Sequence, residues 1–206
     1  RDLLRALNAH LTIIINSVAR HEGTIVNFIG DAVLAIFNCP VPLHAPATAA
    51  LKCYLDCHRE MEALRRKRKR AKLICFELGA GLNFGTAVSG GIGSESRFSY
   101  SVLGDEVNLA ARLESLTRHY PTEVILSECC HRQLPPEIAR QCLQIDHAQV
   151  KGRKTPVGLY TLTDLADDEK RHFNRAFRRY LKDDFATAQQ GFSKVTGRMA
   201  GYLAKR

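Results

Sequence analysis

VLGDEVNLAARLE, residues 102–114, marks a change from strand to helix. Gly104 ends the apolar run and Asp105 is a good residue to begin a helix. Residues four apart lie on one helical face, so Asn108 and Arg112 point the same way. A planar amide beside a planar guanidinium can hold a ribose and an anionic phosphorus centre. The alternative is a surface helix whose arginine pairs with a carboxylate.

A predicted hairpin places a carboxylate at its tip. Thr24–Ile29 and Val33–Phe37 are rich in β-branched and aromatic residues, and Gly30-Asp31 links them. A two-residue Gly-Asp link is typical of a β-hairpin. A hard divalent cation such as Mg²⁺ takes one or two carboxylates and lets substrate phosphates complete its shell. The alternative is a turn aspartate that bonds its own backbone.

Four ordered segments together resemble the catalytic domain of class III nucleotidyl cyclases. The resemblance runs from about Leu3 to about Leu162. It is carried by Asn27–Phe37, Gly81–Gly85 with Gly90–Gly93, Tyr100–Arg112 and Lys151–Arg153. It implies an α+β fold of ferredoxin-like type, with an antiparallel-rich sheet and packed helices.

The resemblance also implies a reaction. Members convert ATP to 3′,5′-cyclic AMP, or GTP to cyclic GMP, and release pyrophosphate. The ribose 3′-oxygen attacks the α-phosphorus in line, at two Mg²⁺ or Mn²⁺ ions. Positioning and charge stabilisation then dominate catalysis. We expect an adenylate cyclase of cyclic nucleotide signalling, a phosphorus–oxygen lyase with ATP as substrate and GTP as the alternative. A catalytically silent module for dimerisation or nucleotide sensing is the competing hypothesis.

Three residues stand at the family's reactive positions. Asp31 stands at a metal-binding aspartate. Asn108 stands at the asparagine that orients the ribose, and Arg112 at the arginine that stabilises charge on the α-phosphate. The resemblance implies these roles; the spacing alone does not.

Four further residues stand at or near nucleotide-binding positions. Asn27 replaces the lysine with which many adenylyl cyclases read adenine, and Ser101 replaces its partner aspartate or threonine. Both can donate and accept hydrogen bonds, so they do not predict the base. Arg153 stands at a basic position, usually lysine, that contacts the terminal phosphates. Arg97 lies near another phosphate-contacting position.

In this family the active site forms between two catalytic domains. This chain carries both Asp31 and the pair Asn108 and Arg112, so a head-to-tail homodimer would hold two equivalent sites. A heterodimer with a cyclase-like partner is the other arrangement. The family's other metal aspartate precedes the first helix. This chain begins inside that helix without an initiator Met, so we expect a fragment of a longer protein.

The composition of the chain limits which binding partners and which cellular compartment we expect. The 206 residues carry a net charge of +9, and seven cations within residues 65–72 leave only +2 elsewhere. No aromatic residue interrupts that run, which argues against a surface for single-stranded nucleic acid. We interpret the run as a solvated helix end and loop and expect no nucleic acid partner; contact with a nucleic acid or an anionic membrane is the alternative. No apolar run is long enough to span a bilayer. We therefore expect a cytoplasmic protein, or the cytoplasmic domain of a membrane-anchored parent. The seven cysteines fit free thiols of a reducing compartment.

The chain divides into residues 1–163, a catalytic domain without its first strand, and residues 164–206, a helical pair of tetratricopeptide-like character. Phe76–Phe84 and Thr86–Ile92 are expected to form a hairpin around Gly85. The glycines in this region fit a close approach of backbone segments. A last hairpin is expected with Lys151–Arg153 in its loop.

Overall fold

Most helices and strands lie where the sequence patterns predict, but the strand expected over 76–84 is only Ala80–Leu82, and, in the part of the chain that the structure describes, three helices follow residue 163 where a pair was expected. The computed structural model describes residues 2–94, 97–150 and 155–205. Its helices are α1 (Asp2–Arg20), α2 (Pro46–Arg70), α3 (Asp105–Leu116), α4 (Glu128–Arg132), α5 (Pro136–Ala139), α6 (Asp167–Tyr180), α7 (Phe185–Phe192) and α8 (Arg198–Leu203). Its strands are β1 (Thr24–Ile29), β2 (Ala32–Ile36), β3 (Ala80–Leu82), β4 (Val88–Ser94), β5 (Arg97–Leu103), β6 (Val124–Ser127), β7 (Cys142–Ala148) and β8 (Val157–Leu162).

The chain forms two compact units. The first unit comprises residues 1–78 and 85–107, and the second comprises residues 79–84 and 108–206. The elements are those of an α+β protein, as predicted. No helix in the described residues is both long enough and apolar enough to cross a membrane.

In the first unit, α1 packs against α2. Val18, Cys53 and Cys57 form the centre of a small apolar cluster between them. A group of hydrogen bonds at Asp56 joins the ends of the same two helices. Its carboxylate accepts hydrogen bonds from Arg20 (3.3 Å), His21 (2.8 Å) and Arg59 (2.6 Å). These bonds, led by the one from His21, hold the pKa of Asp56 below its usual range.

The hairpin of β1 and β2 confirms the prediction from Gly30-Asp31. The two strands are antiparallel, and Ile29 lies opposite Ala32. Gly30 has a φ of 65°, a left-handed conformation that favours glycine in a tight turn. The left-handed conformation of this turn therefore favours glycine, and the sequence has glycine at position 30.

The expected hairpin around Gly85 is wrong. β3 is only three residues long and pairs in parallel with β6, whereas β4 pairs with β5 along its whole length. Gly85 instead lies against Glu106, whose Cγ would be 2.6 Å from an added Cβ. A glycine that permits a close side-chain approach looks the same in sequence as a glycine in a turn.

The second unit is built on a four-stranded sheet of order β3-β6-β8-β7. β8 is antiparallel to both of its neighbours. Ser127 ends β6 and caps α4, because its Oγ accepts a hydrogen bond from the N–H of Cys130 at 3.1 Å. The antiparallel pairing of β7 and β8 confirms the predicted last hairpin, but Lys151–Arg153 in its loop lies outside the described residues.

The helices after residue 163 share one hydrophobic core with this sheet. The core includes Leu113 of α3, Ile145 of β7 and Leu159 of β8, together with Phe173 of α6 and Phe192 of α7, and all five side chains are at most 1% exposed. The described C-terminal helices thus pack as part of this unit. The division after residue 163 stays a prediction.

Candidate active site

Asp31 lies at the exposed tip of the β1–β2 hairpin. Phe28 and Ile29 precede it and are 48% and 61% exposed. No Lys or Arg of the described residues forms an ion pair with Asp31, whereas Asp56 in the same unit has two arginine partners. The hairpin thus presents a carboxylate that forms no ion pair with a basic side chain in the described part of the chain.

The charge of Asp31 acts on His10 of α1. The ring of His10 is buried and lies 5.4 Å from the ring of Phe76, centroid to centroid. Burial lowers the pKa of His10, and the carboxylate of Asp31 opposes that shift. His10 therefore has a largely apolar environment on one side and a negative potential from the hairpin tip.

Asp31 fits a magnesium or manganese ion as a single protein ligand. In the described part of the chain, no group of three or more His, Cys, Asp or Glu side chains could hold a metal ion. One carboxylate completed by substrate phosphates is, however, a donor set typical of Mg²⁺. The residue types present are thus compatible with a cation that arrives together with a triphosphate.

Asn27 and Ser101 lie on strands of the same unit. Asn27 is opposite Leu34 on β2, and its Oδ1 accepts a hydrogen bond from the N–H of Phe28 at 2.9 Å. Ser101 is opposite Gly90 on β4. β1, which carries Asn27, contacts β5, which carries Ser101. The structure therefore brings the two strands together, as base-reading roles for these residues would require.

The two other predicted phosphate-binding residues are less well defined. Arg97 is the first residue of β5, where it pairs with Ser94 of β4. Arg153 lies outside the described residues. Both roles stay predictions.

The helix α3 presents Asn108 and Arg112 away from its buried face. Leu109 and Leu113 on that buried face are 2% and 0% exposed, whereas Asn108 is exposed and Arg112 is half-buried. Within the described residues Arg112 has no ion pair, although Arg118 just beyond the helix lies 3.8 Å from the carboxylate of Glu114. The alternative of an arginine paired on a protein surface is thus not what the described residues show.

Gly81 of β3 holds a position where only glycine fits. A Cβ at Gly81 would collide with the carbonyl oxygen of Ala110 and the backbone nitrogen of Glu114, and would lie 2.9 Å from Cβ of Leu113. The glycine-rich segment had predicted such a close approach of backbone, and the structure confirms it. β3 thereby supports the turns of α3 that surround Arg112.

Sequence patterns did not identify the contacts of Cys39. Its Sγ lies 2.9 Å from Oγ of Ser89 and 3.2 Å from the hydroxyl of Tyr100, the residue before Ser101. These hydrogen bonds lower the pKa of the Cys39 thiol. The three residues are distant in sequence, and only the pairing of β4 with β5 brings Ser89 and Tyr100 to one place.

The predicted site residues thus fall into two groups. Asp31, Asn27, Ser101 and Arg97 belong to the first unit, and Asn108 and Arg112 belong to the second. Each group carries one part of the chemistry: a carboxylate with polar side chains in the first, an amide with a guanidinium in the second.

This fold is that of a nucleotidyl cyclase catalytic domain. Residues 1–164 match the model of the adenylate and guanylate cyclase catalytic domain. The chain therefore belongs to that family, in agreement with the resemblance drawn from its motifs.

The relatives include both kinds of cyclase. Adenylate cyclase 1 of Rhizobium meliloti (strain 1021) is 33% identical over 164 residues, which cover 80% of this chain and 24% of that protein. The adenylyl cyclase CyaB from P. aeruginosa has a similar structure, with 30% identity, a TM-score of 0.68, and coverage of 81% of this chain and 84% of that chain. The guanylyl cyclase Cya2 has 27% identity, a TM-score of 0.69, and coverage of 81% and 82%. The chain spans about a quarter of the Rhizobium protein.

Proposed function

We propose that the chain catalyses the conversion of ATP to 3′,5′-cyclic AMP and pyrophosphate. The observation that carries this proposal is the face of α3, where Asn108 and Arg112 lie together and Arg112 has no carboxylate partner among the described residues. Membership of the cyclase family gives that face its chemistry. The exposed carboxylate of Asp31 supplies the second requirement, a ligand for a divalent cation.

Arg112 and Asn108 have separate tasks in this reaction. The 3′-oxygen of the ribose attacks the α-phosphorus, the new O–P bond forms, and the bond to the departing pyrophosphate breaks. The amide of Asn108 hydrogen-bonds the ribose and fixes the direction of attack. The guanidinium of Arg112 donates to the α-phosphate oxygens, where negative charge accumulates in the transition state. Divalent cations, when bound, polarise the attacking oxygen and neutralise the leaving phosphates.

A head-to-tail dimer is the assembly that we propose for the active enzyme. One subunit provides Asp31 and the other provides Asn108 and Arg112. The second site is equivalent, because each chain carries both sets. In this homodimer, neither set of residues has to come from another protein. In a heterodimer, a cyclase-like partner would have to supply either the aspartate or the asparagine and arginine at each site that is to be complete.

ATP is the proposed substrate because the relative from Rhizobium and the similar CyaB structure are adenylate cyclases. The contacts of Asn27 are compatible with it. Its Oδ1 already accepts from Phe28, which leaves the amide N–H groups to donate to a ring nitrogen of the base. Ser101 can accept from the amino group of adenine or donate to the oxygen of guanine. GTP is therefore the substrate against which ATP must be tested.

The test is an assay of cyclic product with ATP or GTP and Mn²⁺. It uses a chain extended at its N-terminus to include the strand in which the family carries its other metal aspartate. We expect cyclic AMP as the main product, and its amount should fall on removal of the cation with EDTA. Absence of both cyclic products from a verified dimer would overturn the proposal.

A second candidate is a nucleotide-binding module without turnover. The residues at the base-reading positions favour it, since Asn27 and Ser101 replace the lysine and its partner. This candidate predicts saturable binding of ATP, measured by calorimetry, with no cyclic product.

A further inference from the structure

The C-terminal end of α2 and the two residues after it carry five exposed cations. They are Arg66, Lys67, Lys69, Arg70 and Lys72, and we call them the basic cluster. No Asp or Glu of the described residues forms an ion pair with any of them, although Arg65 and Arg68 in the same run pair with Glu62 and Asp2. The cluster lies wholly in the first unit of the chain.

The helix itself does not require so much positive charge. The dipole of a helix places roughly half a negative charge at its C-terminus, which one or two cations offset. Arg66 and Arg70 are four residues apart and therefore repel one another along one face. Two other arginines of the first unit differ from the cluster in this respect, because Arg20 and Arg59 both form ion pairs with Asp56 of α2. Within the described first unit, no carboxylate thus forms an ion pair with the cations of the basic cluster.

Apolar side chains adjoin the basic cluster. Leu73 and Ile74 follow it directly and are 44% and 46% exposed. Ala63 and Ala71 line a shallow surface depression together with Arg66, Lys67 and Arg70. The surface therefore combines several long cationic side chains with small and apolar ones.

We propose that the basic cluster binds the anionic surface of a lipid membrane peripherally. Several lysines and arginines near an anionic bilayer each add to its attraction, and exposed leucine and isoleucine can enter the headgroup region. A single-stranded nucleic acid is the less suitable partner, because the cluster has no aromatic side chain on which a base could stack. A duplex would leave the exposed Leu73 and Ile74 without a role. The sequence leaves contact of this basic run with an anionic membrane open as an alternative, and the exposed cations without an ion pair among the described residues favour it.

The test is co-sedimentation of the 206-residue chain with vesicles of phosphatidylcholine containing about 30% phosphatidylserine. We expect binding to these vesicles, no binding to pure phosphatidylcholine vesicles, and release by salt. The variant R66Q/K67Q/K69Q/R70Q/K72Q should lose nearly all binding, since each cation contributes about fivefold to the partition coefficient.

A charge-matched control removes five exposed cations of the second unit. The variant R175Q/K182Q/K194Q/R198Q/K205Q has the same net charge as the cluster variant and should bind the vesicles as the parent chain does. Circular dichroism and thermal melting of all three proteins establish that each is folded. Equal loss of binding in both variants would show a general charge effect and would overturn the proposal.

The variant Leu73→Ser separates lipid from other polyanions. We expect it to weaken vesicle binding by about threefold or more, because an apolar side chain no longer enters the bilayer. Its retention on heparin should be unchanged. Binding of duplex DNA that is tighter than vesicle binding at the same salt concentration, and insensitive to Leu73→Ser, would assign the surface to a nucleic acid instead.

Discussion

Gly81 lies directly against the backbone of Ala110, with no room for a side chain between them. An added Cβ would collide with the carbonyl oxygen of Ala110 and lie 2.9 Å from Cβ of Leu113. β3 and α3 are thereby in backbone contact at the turn that includes Arg112. The position of the guanidinium thus depends on the absence of a side chain in a neighbouring strand.

Gly81→Ala should lower the free energy of unfolding by about 3 kcal/mol, because the strand or the helix must move to admit the methyl group. The matched control is Gly201→Ala in α8, where an added Cβ has no neighbour within 4 Å. The same change there should raise the free energy of unfolding by up to about 1 kcal/mol, as alanine is the better helix former. Urea denaturation of the two variants measures both values. Equal stability of the two variants would contradict the packing described.

Arg112→Ala should lower kcat by about a hundredfold or more and change KM by only a few fold. The reason is that the contact of the guanidinium with the α-phosphate strengthens as charge develops in the transition state. Arg118→Ala is the control, because that arginine is exposed and, among the described residues, forms an ion pair with Glu114 alone. Its loss should leave kcat within about twofold, since exposed ion pairs contribute little. Steady-state kinetics of the three enzymes decide the question, and a rise in KM without a fall in kcat would assign Arg112 to ground-state binding.

Mixing two inactive variants tests the shared site. Asp31→Asn and Arg112→Ala should each be nearly inactive alone. In a mixed dimer, one site receives both substitutions and the other receives neither. Random pairing makes half of the dimers mixed, so about a quarter of the parent activity should return. No recovery, with subunit exchange verified by mass spectrometry, would show that each site belongs to a single chain.

His10 should make the stability of the chain depend on pH. Burial lowers the pKa of His10 below its ordinary value of 6.5, so the unfolded chain takes up a proton at a higher pH than the folded chain does. The free energy of unfolding should therefore fall as the pH drops through about 6.5 and should level off below the folded pKa. His10→Phe removes this titration, so the fall should be smaller in the variant. Urea denaturation at a series of pH values measures the difference, and parallel curves for the two proteins would contradict it.

Local patterns predicted most of the elements that carry the candidate site. The Gly30-Asp31 turn and the helix after Gly104 follow from rules that act within a few residues. The partner of β3 did not follow, because parallel pairing with β6 joins segments that are over forty residues apart. The contact of Gly85 with the side chain of Glu106 did not follow either, because α3 creates it and no local pattern distinguishes it from a turn.

The residues at the predicted site differ in the same way. The shared face of Asn108 and Arg112 could be predicted from a spacing of four. The absence of an ion pair to Arg112 among the described residues could not. Cys39, Ser89 and Tyr100 illustrate the limit most clearly, because their contacts arise from the strand pairing and from no motif. Spacing predicts which side chains share an element, and only packing decides what surrounds them.

The hydrogen bonds of Asp56 and the burial of the His10 ring are weakened by acid at two different pH values. The pKa of Asp56 lies below its ordinary value of 3.8, so its ties to Arg20, His21 and Arg59 persist until the solution is strongly acidic. Protonation opposes the burial of the His10 ring from about pH 6.5 downward. Mild acidification therefore opposes the burial of His10 at a pH where the hydrogen bonds of Asp56 are still formed.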